Sequence, residues 1–403
     1  MVETHAKLGL RVYIYTPFFM GIGFLNYLFV DRPRYLDNEN HEGFLVPQPQ
    51  HLLSSPLSSS GTTNVEWDEE AVEVPEDFLC PGSSAGVEGI GNGRSYCVKG
   101  HPKGLSTYRS DQYPNGRNGN ALYSVNSRAG YFIVDDLTTC GRPKIVSKNS
   151  GAGTFVTEHV MELQTFPAFL QFMMGRRFVF GDQASYTKPP PYVTASILER
   201  ALNKKWSRGG RETPERDIWE KFGSVTNAGV LVNAEKGLNS IKALLWQSKN
   251  PISDNTWYKK KFDDTSDVRY PGLAFSAINE VTNVFDCMNN EVVNQAFATV
   301  ANDVHGVLEQ FSQEMKERVG KDFDFAGAWF DYIKKVLVPT LTTKADLFID
   351  GHLNYLEETW QAKLDSTTDE RLRDECDAIL LEVDERRSNL NGHKIDLSRL
   401  KSG

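Results

Sequence analysis

Glu158, His159 and Glu162 form the one close set of acid and imidazole groups in this sequence that could do chemistry. Carboxylates beside an imidazole can exchange protons with a substrate or ligate a metal. On a helix, Glu158 and Glu162 lie four residues apart and His159 and Glu162 three apart, so their side chains would share one surface. Two carboxylates so placed repel each other unless a cation joins them. That cation could be a metal, Arg176 or Arg177, or a lysine from elsewhere in the chain. The HExxH pattern, which sets two histidines on one helical face, is absent. Two readings stand: a hydrolase working through this cluster, or a buried ion-pair network that orients its own segment. The expectation is the network, with no metal and no cofactor, because arginine and lysine are commoner partners for paired carboxylates.

A second candidate is a binding surface at Tyr108, Tyr113, Arg117 and Tyr123. Residues 94–148 carry nine Lys/Arg against three Asp/Glu, with tyrosines interleaved. Aromatic faces stack on sugar rings or bases, so the stretch suits a sugar or polyanion; the alternative is a solvated basic face with half-buried tyrosines. No nucleophile elbow and no phosphate-binding loop occurs. The five cysteines have no CxxC spacing, which argues against structural zinc. Cys80 and Cys97 are the candidates for a disulfide if the chain is secreted, whereas Cys287 sits in an apolar helical pattern and reads as core.

The elements that must position these residues change character near residue 151. Before it, Asn115-Gly116 and Asn118-Gly119 are turn signals, and residues 121–125 and 130–134 read as strands of a small antiparallel sheet. After it, apolar residues recur at helical spacing. The first helix is expected from Thr157, with that hydroxyl as N-cap and a kink or restart at Pro167. Further helices follow at 195–203, 218–225, 234–247 and 254–262. Clear stripes then run through Ile278, Val281, Phe285 and Met288, and through Val293, Phe297, Val300, Val304 and Phe311. Phe325, Trp329, Tyr332 and Val336 lead to an expected break at Pro339, and Leu356, Trp360, Leu364, Leu372, Cys376, Ile379 and Val383 complete the pattern. The fold class is therefore mainly α, a multi-helix bundle-like domain after a small β-rich, loop-rich region. The expected divisions are 1–79 (an apolar segment, then a Ser/Pro-rich and acidic linker), 80–155 (β-rich), 156–390 (helical) and 391–403 (a frayed tail).

The segment TEHVMELQ at 157–164, with Phe169, resembles a motif in the C-terminal, non-catalytic region of fungal class V chitinases related to killer toxins. Asn239-Ser240-Ile241-Lys242 with Trp246, and Val284-Phe285-Asp286-Cys287-Met288-Asn289, are similar to the same region. Those enzymes hydrolyse chitin in a separate barrel bearing a DxxDxDxE signature, and no such signature occurs here. The resemblance thus implies an accessory or interaction protein without the catalytic domain, with chitin, another cell-wall polysaccharide or a protein as partner.

The formal net charge of −9 argues against a nucleic-acid partner, since phosphate contacts need clustered Lys and Arg. Residues 12–30 carry no charge and follow Lys7 and Arg11, which suits a signal, a membrane anchor or a packed apolar segment. An extracellular or membrane-anchored location is the expectation. A membrane-tethered surface protein that binds a partner through its helices is a third functional reading.

Overall fold

The computed structural model describes residues 89–91, 95–100, 104–115, 121–122, 126, 131–133, 144–146, 155–174, 193–207, 212–389 and 393–401. The apolar segment 12–30, the linker, Cys80, Cys140, Arg117, Tyr123, Arg176 and Arg177 lie outside them, as does the Cys97 side chain. Among the described residues no helix is long and apolar enough to cross a membrane.

Short strands come first: β1 (Gly89–Gly91), β2 (Ser95–Gly100), β3 (Gly104–Arg109), β4 (Tyr113–Asn115), β5 (Tyr131–Ile133) and β6 (Lys144–Val146). β1 pairs with β4 and β2 with β3, both antiparallel. Ala121 and Leu122 are helical, not part of the strand that alternation suggested there.

Two later strands change the picture. β7 (Phe155–His159) and β8 (Leu231–Glu235) pair antiparallel, and β8 also pairs in parallel with β5, so the order is β6-β5-β8-β7. The strand region and the helical region therefore share one sheet. The expected helical start at Thr157 is wrong: Thr157 pairs with Asn233 inside this sheet. The physical reason lies in Phe155-Val156-Thr157, a β-branched and aromatic run that finds a partner strand far along the chain.

The helix begins later, as α1 (Thr165–Met173). Pro167 neither kinks nor restarts it, because it falls in the first turn, where backbone N–H groups have no intrahelical acceptor. All of α1 is buried, as expected for a helix apolar nearly all round. Its Phe169 ring meets Trp329 edge-on at 5.1 Å between centroids.

The chain continues through α2 (Ala195–Leu202), α3 (Pro214–Phe222), α4 (Lys236–Trp246), α5 (Asp254–Lys259), α6 (Arg269–Asn289) and α7 (Glu291–Val319). Capping explains several of these limits. Thr213 accepts a hydrogen bond from the Arg216 amide before Pro214 opens α3, and Asn290 accepts from the Val292 amide at the start of α7. α7 ends at Gly320, whose φ of 71° is the left-handed conformation that glycine adopts without strain.

α8 (Phe325–Tyr332) runs through a π-helical turn (Ile333–Leu337) into α9 (Val338–Ser366). Pro339 is therefore not a break. It has no N–H to donate four residues back, and the wider turn before it lets the chain stay helical. α10 (Glu370–Asn389) then packs along α9.

The stripes face inward. Ile278, Val281, Phe297, Val300, Val304, Trp329, Leu356 and Trp360 are all buried in one apolar core. A bundle-like, mainly helical domain follows the strand region, as the change of apolar period indicates. The tail departs from its expectation. Residues 393–401 are docked on α6 and α7, with His393, Ile395 and Leu400 buried.

Candidate functional site

Strand alternation decides where the acid and imidazole groups go. Glu158 and His159 are neighbours in β7, so their side chains leave opposite faces of the sheet. His159 turns to Tyr113, edge-on at 4.6 Å between centroids. Glu158 turns the other way, toward α4. Glu162 sits in the turn between β7 and α1, where its carbonyl accepts the Thr165 amide at 2.9 Å. The structure thus joins the two glutamates but carries the His159 ring away from them, correcting the helical convergence expected from spacing.

The cation between them is Lys242. α4 follows β8 directly, and the β7–β8 pairing brings this helix over the outward face of Glu158. Lys242 Nζ contacts Glu158 Oε1, donates to Glu162 Oε1 at 2.9 Å and to the His159 carbonyl at 2.8 Å. Its ammonium also lies 4.7 Å from the centre of the Trp246 ring. Asn239, one turn earlier on α4, completes the cluster: its side-chain amide lies against the Glu158 carboxyl and, with the nitrogen turned inward, donates to it.

The cluster is closed. The Lys242 side chain is 6% exposed and those of Glu158 and Glu162 9% each. A small cavity beside it is walled by Val160, Val232, Leu238, Val284, Cys287 and Met288. Burial pushes the Glu158 carboxyl up to about 8; Lys242 pulls against this and Glu162 adds to it. Burial draws Lys242 down, but the two glutamates together hold it above its ordinary value. These opposite tendencies agree once charges are counted. One ammonium needs one carboxylate, and the second carboxyl, Glu158, keeps its proton at neutral pH. The buried set is then neutral overall, which avoids the cost of a bare charge in an apolar core.

Cys287 faces this cavity with its thiol pushed up to about 12, chiefly by burial, so it stays protonated and unreactive. Among the described residues no group of His, Cys, Asp or Glu is arranged to hold a metal ion. Two tyrosines of the second candidate, Tyr108 and Tyr113, are core residues. Tyr108 is 1% and Tyr113 6% exposed, and Tyr108 packs edge-on against Phe166. Rings so enclosed offer no face to a sugar.

Sequence reasoning left Lys242 as one of several possible cations and did not single out Asn239. A signal existed: Lys242 falls among Leu238, Ile241 and Leu245, on the apolar side of an otherwise ordinary amphipathic helix. No family model, no curated protein and no solved structure matches this chain. Three segments well separated in sequence meet at this one place. Residues 158 and 162, 239 and 242, and 284, 287 and 288 surround the same buried point.

Proposed function

We propose that this chain is a non-catalytic accessory or interaction protein of the kind the resemblance implies, a relative of the C-terminal region of killer-toxin-like chitinases. The observation that carries this reading is Lys242, which fills the space between Glu158 and Glu162 where a substrate or metal would have to sit. Glycosidases need two carboxyl groups flanking an open bond, one protonated to release the leaving group. Here the protonated carboxyl is sealed in the core and already engaged by a lysine of the same chain. The reading carries with it an extracellular or membrane-anchored location, supported by the uncharged stretch 12–30. The partner class it implies is chitin, another cell-wall polysaccharide or a protein, and the negative net charge speaks against nucleic acid.

The test pairs an activity assay with a binding assay on the full chain. Hydrolysis of a chitin oligomer is expected to be undetectable, while sedimentation with insoluble chitin or cell walls reports the accessory role. Turnover that survives purification controls and is abolished by Glu158→Gln would overturn the reading in favour of a hydrolase.

A further inference from the structure

We propose that Lys242 and Glu158 react with each other, joining β7 to α4 through a self-formed side-chain amide, with Glu162 as the proton carrier. Four features of the cluster favour this reaction, and none of them depends on the accessory reading.

The nucleophile and electrophile are already together. Lys242 Nζ lies against the Glu158 carboxyl, and the His159 carbonyl and Glu162 fix its remaining direction at 2.8 and 2.9 Å. Holding two reactants in place this way removes most of the entropy that makes amide formation slow between free groups. The electrophile is in the reactive state, because a carboxyl that keeps its proton can lose hydroxide as water, whereas a carboxylate cannot. The walls are apolar: Val160, Val232, Leu238, Val284 and Met288 surround the pair and disfavour the charged form of Glu158, while the passage of the Lys242 proton falls to Glu162. The Asn239 side-chain amide lies against the carboxyl, and with its nitrogen turned inward it donates to the oxyanion of the tetrahedral intermediate.

The step balances without any outside reagent. The Lys242 ammonium gives one proton to the Glu162 carboxylate and becomes a neutral amine. Its nitrogen lone pair attacks the Glu158 Cδ, forming the C–N bond and an oxyanion. Glu162 relays a proton from the new nitrogen to the Glu158 hydroxyl, and the C–O bond breaks with release of water. The products are a neutral amide, one water and a protonated Glu162. All charge has left the core, which relieves the electrostatic burden that the ion pair imposes there. The link bridges residues 84 apart in sequence and ties the sheet to the helical domain. Cross-linking so large a loop restricts the unfolded chain strongly.

Intact-mass spectrometry of the full chain, purified folded and measured after denaturation and thiol reduction, decides the matter. The expected mass is lighter than the sequence by one water, and proteolysis should yield a branched peptide joining the segments that hold Glu158 and Lys242. Lys242→Arg and Glu162→Gln should each return the full mass of the variant. Glu158→Gln should still react, losing one ammonia in place of water. A folded wild-type chain at its unmodified mass would overturn the proposal. So would loss of ammonia from the wild type, which would place the link at Asn239.

Discussion

Lys242 on α4 donates to Glu162, in the turn after β7, at 2.9 Å, and both side chains are more than nine-tenths buried. Charges this enclosed cannot be taken apart one at a time. Lys242→Met leaves two carboxyls and the His159 carbonyl facing an apolar wall. The expected loss is about 3–5 kcal/mol, the range for breaking a buried pair from one side. The figure holds for the unlinked, ionic cluster. A parent chain carrying the Glu158–Lys242 amide would lose the cross-link in addition, and the comparison between the two variants, neither of which can form it, is unaffected. The triple variant Glu158→Leu, Lys242→Met, Glu162→Leu should recover much of that loss, because it removes the charges together. Chemical denaturation of the three proteins checks this, and a triple variant no more stable than Lys242→Met would contradict the account.

Phe297 and Val300 test the helical core away from the cluster. Both lie on the inner stripe of α7, at 1% and 0% exposure. Phe297→Asp buries a carboxylate with no partner, which costs several kcal/mol, enough to unfold a marginally stable domain. The far-ultraviolet circular dichroism of the variant should show the loss of helix. A melting temperature within a few degrees of the parent would mean that the stripe is not core.

The contrast between these two sites explains what was legible in the sequence. The α7 stripe follows from local spacing, since Val293, Phe297, Val300 and Val304 can bury themselves only as one helical face. Residues 155–162 hold no such local answer. Val160 and Leu163 fit a helical face, while Phe155, Val156 and Thr157 fit a strand, and the choice is made by β8, more than seventy residues later. The identity of the cation depends on the same pairing, because α4 reaches Glu158 only when β8 is in register with β7. Arg176 or Arg177 is as reasonable as Lys242 until that register is known. The burial of Tyr96 is illegible for a related reason. Tyr96 stacks on Trp219 at 5.6 Å between centroids, a partner that no local pattern around Tyr96 reveals.

The tail gives the third prediction. Asn289 donates to the Lys394 carbonyl at 2.6 Å and Asn294 to the Asp396 carbonyl at 2.8 Å, so two side chains on α6 and α7 take the place of a partner strand. Asn302 continues the row by accepting the Lys401 amide at 2.9 Å. Between these anchors Ile395 is 5% exposed. Ile395→Ala should therefore cost about 2–5 kcal/mol, as for other buried aliphatic residues cut to alanine. Asn294→Ala should cost about 1 kcal/mol, the net worth of one hydrogen bond. Urea midpoints measure both, and an unchanged midpoint for Ile395→Ala would show the tail undocked in solution.

His352 gives the last, through its dependence on pH. Its ring stacks on Trp257 with 3.6 Å between centroids and meets Phe348 edge-on at 4.4 Å. Burial lowers its pKa to about 4 from an ordinary 6.5, with Asp254 pulling weakly the other way. In the unfolded chain the imidazole takes a proton near 6.5, while in the folded protein it stays neutral until about 4. Between those values the unfolded state binds more protons, so stability rises with pH across the window and is lost on acidification. His352→Phe keeps an aromatic ring against Trp257 and removes the titration. The stability difference between parent and variant should be constant above pH 6.5 and should move against the parent as the pH falls toward 4. Other groups titrate in the same range, but they are common to both proteins and cancel in the difference. Denaturation midpoints of the two proteins, measured in parallel across that range, provide the comparison. Curves that stay parallel throughout would show that the imidazole is solvated and that its stack on Trp257 does not persist in solution.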